Sequence, residues 1–89
     1  MIQRKVSLSN RLGLHARAAS KLVQVASEFP AEIWVIRDER RVNAKSIMGV
    51  LLLAAPCGTE LMLEADGARE DEAIEALVEL IDDRFGEPE

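Results

Sequence analysis

The 89-residue sequence contains one cysteine, one histidine and three aromatic residues, and each scarcity excludes a class of protein. A single cysteine, Cys57, forms no internal disulfide, which suits a reducing compartment, and we read it as a small loop residue. One histidine and one distant cysteine fall short of a metal-ligand set, so we expect no metal and no cofactor. Few aromatic side chains and a net charge of −5 argue against a nucleic-acid partner.

Long apolar runs are also absent, and the first residues lack the apolar core of a signal peptide. We therefore expect a cytoplasmic protein that does not insert into a membrane. The length predicts a single domain, residues 1–89, and most simply a monomer. A chain this short is not expected to enclose a deep catalytic cavity, so the sequence does not indicate a stand-alone enzyme.

Charge is divided unevenly along the chain. Residues 1–49 hold nine Lys or Arg and four Asp or Glu, a net charge of +5, whereas residues 50–89 hold two and twelve, a net charge of −10. This predicts an electropositive side suited to an anionic group or an acidic partner surface. The alternative is that the acidic half is mostly the exposed face of a last helix.

Hydrophobic periodicity predicts four strands and three helices. The strands are expected at 2–8, 32–37, 41–44 and 60–66, and the helices at 16–28, 47–54 and 69–85. Four strands with polar outer positions favour an α+β fold, in which helices cover one face of an antiparallel sheet and leave the other face open to water.

The single histidine, His15, lies where a glycine-containing loop gives way to the first helix. A helix start presents unpaired backbone N–H groups and the positive end of the helix dipole, which together favour a phosphate. Arg17 adds a guanidinium that grips phosphate oxygens. The pattern indicates a phosphoryl acceptor; the alternative is a polar surface histidine beside a solvated arginine.

A second motif surrounds Ser46, which precedes a short apolar helix. Ser46 is a good helix N-cap, and its alternative role is regulatory phosphorylation at that helix start. We expect Val50, Leu53 and Ala54 to face the core. Three further apolar residues are then expected to form an exposed partner surface, unless the helix is buried all round: Ile47, Met48 and Leu51.

Both motifs resemble the HPr family, the histidine-containing phosphocarriers of the bacterial phosphoenolpyruvate-dependent phosphotransferase system. The phosphohistidine signature corresponds to Gly13-Leu14-His15-Ala16-Arg17-Ala18-Ala19-Ser20, and the serine-site signature to Lys45-Ser46-Ile47-Met48-Gly49-Val50-Leu51. The resemblance extends over the whole chain. It implies an HPr-like open-faced β-sandwich, βαββαβα, with the four-stranded antiparallel sheet in the order 1-4-2-3 and three helices on one face. Many members have proline at the position of Ala18, which affects the rigidity of the helix entry rather than the chemistry.

The resemblance also implies the reaction. His15 accepts a phosphoryl group on Nδ1 from phosphorylated enzyme I and passes it to a histidine of an enzyme IIA domain. The backbone N–H groups of Ala16, Arg17 and Ala18 bind its oxygens, and the Arg17 guanidinium stabilises it. In this family an HPr kinase/phosphorylase phosphorylates the serine corresponding to Ser46. The residues expected to dock partners are Arg17, Lys21, Gln24, Ile47, Met48 and Leu51.

Three questions stay open at this point. The acidic second half and the Lys-Ser-Ile-Met context favour a regulatory or nitrogen-related member over a sugar-transport one. A non-transferring binding module that acts through Ser46 and the apolar helix is the main alternative function. A small enzyme with His15 as general base is a further one, although no carboxylate lies beside the motif in sequence.

Overall fold

The computed structural model describes residues 1–89 and contains four strands and three α-helices in the predicted order. A 3-10 turn, Arg84–Gly86, follows the last helix, and we call residues 84–89 the C-terminal segment. The elements are β1 (Ile2–Ser7), α1 (Ala16–Ala26), β2 (Glu32–Arg37), β3 (Arg40–Asn43), α2 (Ile47–Leu52), β4 (Glu60–Asp66) and α3 (Glu70–Asp82).

The four strands form one antiparallel sheet in the order β1-β4-β2-β3, which confirms the predicted topology. β4 lies between β1 and β2 and pairs with both. Val6 of β1 lies opposite Leu61 of β4, and Val35 of β2 lies opposite Leu63 of β4. These four side chains are buried beneath the helices. Alternation along each strand places the next residues on the opposite, open face.

The helices cover one face of the sheet and bury a single cluster of 23 residues. Helical spacing predicts a buried stripe on α1 made of Ala19, Leu22, Val23 and Ala26. Three of these are buried and Val23 is only half-buried against the cluster, whereas Ala18 is buried without having been predicted. α1 ends at Ala26 rather than at 28 because the chain tightens there: the amides of Glu28 and Phe29 bond to carbonyls three residues back.

The last two helices are shorter than predicted. α3 begins at Glu70 because Arg69 has a φ of 61°, and the helix ends at Asp82. Arg84 and Phe85 then have φ values of 54° and 56°, a left-handed conformation that no right-handed helix accommodates. Phe85 is nevertheless fully buried, so the turn carries an aromatic side chain back into the core.

α2 ends at Leu52, and the expectation that Ala54 faces the core is wrong. Ala54 has a φ of 48° and is exposed, because the chain turns out of the helix there. The Arg37 guanidinium donates to the carbonyls of Leu53 and Ala54 at 2.7 and 3.1 Å and so satisfies this helix end. Val50 and Leu53 face the core as predicted.

Alternation along β4 predicts that Glu60, Met62, Glu64 and Asp66 lie on the open, solvated face of the sheet, and for Glu64 the solvation is wrong. Glu64 is only 7% exposed. Its carboxylate accepts hydrogen bonds from Gln3 on β1 and from Arg41 on β3. The Arg41 guanidinium also stacks on the ring of Trp34, 4.0 Å from the ring centre.

No helix in the structure is long and apolar enough to span a membrane.

Candidate functional site

His15 is the N-cap of α1 and lies at the surface, with 24% of its side chain exposed. Its backbone is extended (φ −79°, ψ −179°), and its carbonyl accepts the first helical hydrogen bond, from Ala19, at 2.8 Å. The ring atom Nδ1 accepts a hydrogen bond of 3.3 Å from the backbone N–H of Arg17. The imidazole therefore points Nδ1 toward the first turn of the helix, where an anion is favoured.

The loop before His15 is held by backbone contacts that only glycine permits at position 13. Gly13 has a φ of 67°, and a Cβ atom there would lie 2.4 Å from the carbonyl oxygen of Ala55. Leu14 is buried, and its amide donates to the same carbonyl at 2.8 Å. The loop is thus pressed against the segment that follows α2, which fixes the entry to α1.

The residues predicted to bind phosphate form the first turn of α1, toward which Nδ1 points. The amides of Ala16 and Ala18 donate no hydrogen bond within the chain, and the Arg17 amide is bonded only to Nδ1. The Arg17 side chain is exposed and makes no ion pair. Three N–H groups and one free guanidinium are therefore grouped at the start of α1, a set of donors that suits a phosphoryl group.

Sequence reasoning missed the carboxylate that contacts the histidine. Glu87 Oε2 contacts His15 Nε2, although the two residues are 72 positions apart. The other oxygen, Oε1, accepts a hydrogen bond of 3.0 Å from Asn10 Nδ2. The pKa of Glu87 is held below its ordinary value, chiefly by the hydrogen bond from Asn10 and then by His15. The carboxylate is therefore ionised at neutral pH.

This contact corrects two expectations. The surface around His15 is not simply electropositive, because two glutamates of the acidic half lie there. Glu87 contacts His15, and Glu89 forms an ion pair of 2.9 Å with Arg11. A carboxylate also does converge on His15, which the sequence spacing did not indicate. The nearest cavity is an open groove of about 180 Å³ between Arg17 and the C-terminal segment, without an enclosed pocket.

Ser46 is the N-cap of α2, which confirms the structural part of its prediction. Its Oγ accepts a hydrogen bond of 3.2 Å from the amide of Gly49, and its side chain is half-buried. Its phosphorylation stays a prediction.

The residues predicted to dock partners differ in exposure. Met48 is 69% exposed and Ile47 is exposed as well, whereas Leu51 is half-buried against the core. Leu52, which was not predicted, is 65% exposed. On α1, Gln24 is exposed and Lys21 is half-buried, because the Lys21 ammonium bonds to the carbonyl of Phe85.

No group of three or more His, Cys, Asp or Glu side chains is arranged to hold a metal ion. The polar groups at His15 are instead N–H donors and one carboxylate.

Comparisons with known proteins agree with this geometry. The family model "PTS HPr component phosphorylation site" matches residues 2–83. The phosphocarrier protein HPr of Neisseria meningitidis is 52% identical over 89 residues, which cover 100% of both chains, and that of Cupriavidus necator has the same identity and coverage. The crystal structure of HPr-C-His from Thermoanaerobacter tengcongensis superimposes with a TM-score of 0.96 at 47% identity and covers 100% of both chains.

Proposed function

The chain belongs to the HPr family of the phosphotransferase system and is a phosphoryl carrier of that system, and we propose that His15 is the residue that carries the phosphoryl group. The observation that supports this most directly is the position of the ring. His15 caps α1 with Nδ1 facing the N–H groups of the first turn, and the ring is open to solvent.

The chemistry follows from this position. The lone pair of Nδ1 attacks the phosphorus of a phosphorylated donor, and the bond from phosphorus to the donor's leaving atom breaks as the new N–P bond forms. Phosphoryl transfer depends mainly on positioning and charge stabilisation. The backbone amides of Ala16, Arg17 and Ala18 bind the phosphoryl oxygens. The Arg17 amide gives up its hydrogen bond to Nδ1 and donates to the phosphoryl group instead. The Arg17 guanidinium balances the negative charge of the phosphoryl oxygens.

Enzyme I is the proposed donor and a histidine of an enzyme IIA domain the proposed acceptor. We expect both to dock on the surface around His15 in small, transient encounters. The proposed docking residues are Arg17, Lys21 and Gln24 of α1 with Ile47, Met48 and Leu51 of α2. The carrier acts as a single cytoplasmic domain, residues 1–89, and as a monomer.

The test is transfer of labelled phosphate from phosphoenolpyruvate through enzyme I. The wild-type protein is expected to take up one acid-labile phosphate, because phosphohistidine is hydrolysed in acid, and His15→Ala is expected to take up none. Arg17→Ala should still accept the label, at a rate lowered about tenfold or more by the loss of one charged donor. Uptake of acid-labile label by His15→Ala would refute the assignment.

Regulatory phosphorylation at Ser46 is a second part of the proposal. Ser46 Oγ lies at the start of α2, where a phosphate is electrostatically tolerated and alters the neighbouring docking surface without unfolding the helix. An HPr kinase/phosphorylase is the proposed enzyme, and its product on the wild-type protein should be acid-stable and absent from Ser46→Ala. A regulatory, nitrogen-related role is compatible with both parts. Acid-stable label alone, with none on His15, would favour the non-transferring binding module.

A further inference from the structure

The C-terminal segment is fastened over the histidine by contacts at both of its ends. Phe85 is fully buried, and its carbonyl accepts a hydrogen bond of 2.6 Å from Lys21 on α1. At the other end, the carbonyl and the carboxylate of Glu89 each accept a hydrogen bond of 2.9 Å from Arg11. Glu87 lies between these anchors, and only 8% of its side chain is exposed. Its carboxylate is therefore held against the ring of His15.

Asn10 fixes which atoms of the carboxylate and the ring face each other. Asn10 is fully buried, and its Nδ2 donates to the carbonyl of Gly13 at 2.7 Å and to Glu87 Oε1 at 3.0 Å. With Oε1 occupied, Oε2 is the oxygen directed at His15 Nε2. An ionised carboxylate is only an acceptor, so the ring atom that faces it must be the N–H.

The geometry points to Glu87 as a positioning residue that keeps the ring proton of His15 on Nε2 and so leaves the lone pair on Nδ1. This inference rests on the proposed function for its catalytic meaning. The second contact of the ring agrees with it, because Nδ1 accepts a hydrogen bond from the Arg17 amide and must therefore be unprotonated. Two independent partners, one on each nitrogen, thus select the same tautomer.

Glu87 also has a role once the phosphoryl group is bound. When Nδ1 forms its bond to phosphorus, the proton on Nε2 stays in place and the ring becomes positively charged. The Glu87 carboxylate balances that charge and keeps the ring protonated, which makes it a good leaving group. On onward transfer the Nδ1–P bond breaks, its electron pair returns to Nδ1, and the neutral ring again carries its proton on Nε2.

The variant Glu87→Gln tests this with almost no change in shape. Because Asn10 Nδ2 is a donor, the new amide is expected to turn its oxygen to Asn10 and its NH₂ group to His15 Nε2. An NH₂ group favours an accepting Nε2, so the tautomer equilibrium shifts toward a proton on Nδ1, against the remaining hydrogen bond from the Arg17 amide. Nitrogen-15 spectra of histidine-labelled free protein at about pH 9, above the ordinary titration range of histidine, report the tautomer directly.

We expect the proton predominantly on Nε2 in the wild-type protein and a clearly larger share of rings protonated on Nδ1 in Glu87→Gln, where only the Arg17 amide still favours an unprotonated Nδ1. Phosphoryl uptake by the variant should fall by at least the factor by which the Nε2–H share falls, because only that tautomer has its lone pair on Nδ1. Glu79→Gln is the control for the substitution itself, since Glu79 is an exposed glutamate of α3 whose side chain makes no hydrogen bond or ion pair. It should leave both the tautomer and the uptake rate unchanged.

Three results would overturn the inference: a wild-type ring protonated on Nδ1, a tautomer that Glu87→Gln does not alter, or an altered tautomer with unchanged uptake. The wild-type spectrum decides the first of these even if a variant does not fold. The tautomer is measured without any partner protein. Failure of the wild-type protein to accept phosphate would therefore count against the proposed function, whereas the spectra alone decide the role of Glu87 on the ring.

Discussion

The ammonium of Lys21 donates a hydrogen bond of 2.6 Å to the backbone carbonyl of Phe85, which ties the second turn of α1 to the segment that carries Glu87. His15 begins the same helix. The helix thus holds the histidine at its start and, through Lys21, fastens the chain that covers it. Residues 64 positions apart in sequence are linked in this way, and the site depends on their packing as much as on the local motif.

Replacing Lys21 by methionine is expected to loosen the C-terminal segment. The variant keeps the apolar stem but loses the donor, so the free energy of unfolding should fall by about 1.5–3 kcal/mol, the range for a hydrogen bond that involves a charged group. Urea unfolding measures this, and faster amide exchange at Glu87 would localise it. Lys5→Met, at an exposed lysine with no hydrogen bond, is the control and should have little effect.

Replacing Gly13 by alanine should displace the loop that leads into His15. The new Cβ would lie 2.4 Å from the Ala55 oxygen and 2.8 Å from the Cα atom of Pro56, both of them backbone atoms, so the loop must move. Overpacking and the positive φ together predict a loss of stability of at least about 2 kcal/mol. Phosphoryl uptake should fall as well, because the entry to α1 shifts.

Gly58→Ala separates these two causes. Gly58 also has a positive φ, 89°, but an added Cβ would meet no atom within 4 Å. Its variant should therefore lose only the backbone contribution, about 1–2 kcal/mol, and keep normal uptake. Equal losses of stability in the two glycine variants would show that the close approach at Gly13 is unimportant.

The stability contributed by Glu64 is expected to depend on pH. The hydrogen bonds from Gln3 and then from Arg41 hold the pKa of Glu64 below its ordinary value of 4.5. Because the folded pKa is depressed, the stabilisation is fully present above about pH 4.5 and is lost as the pH falls through the folded pKa. Glu64→Gln should therefore cost about 1 kcal/mol near pH 7. The cost should become progressively smaller as the pH falls below 4.5.

Urea unfolding of the wild-type protein and Glu64→Gln across this pH range measures the difference. Glu60→Gln changes an exposed glutamate on the same strand that makes no side-chain hydrogen bond, and it should be neutral throughout. A difference for Glu64→Gln that grows toward acid pH would have the wrong sign and contradict the assignment.

The variant Met48→Asp is expected to weaken phosphoryl transfer without unfolding the protein. Met48 is 69% exposed on α2, so a charge there meets water in the free protein and an apolar surface in a docked complex. We expect at least about a tenfold loss of uptake from enzyme I at unchanged thermal stability. Ala68→Asp introduces the same charge at an exposed position beyond β4 and should leave uptake normal. A loss of the folded state in Met48→Asp would contradict the exposed placement.

Sequence alone determined the features that depend on local spacing. The strands, the three helices, most of the buried stripe of α1, the place of His15 at a helix start and the capping role of Ser46 follow from side-chain periodicity and helix-start chemistry, and the structure agrees on them. The sheet order came from the family resemblance rather than from the residues themselves. Helix ends were less well predicted, because Ala54, Arg69 and Phe85 adopt positive φ values that their residue types do not indicate.

Only the tertiary structure decided which distant groups meet. Glu64 was expected in water and is nearly buried, because β1 and β3 bring Gln3 and Arg41 to it from two other strands. Glu87 belongs to the acidic half of the chain, and no sequence pattern predicted that it meets the histidine; it lies on His15 because the turn at Phe85 reverses the chain toward α1. Periodicity records which face of its own helix or strand a residue occupies. It contains no information on the path of the chain between elements, and that path brings the carboxylate to the imidazole.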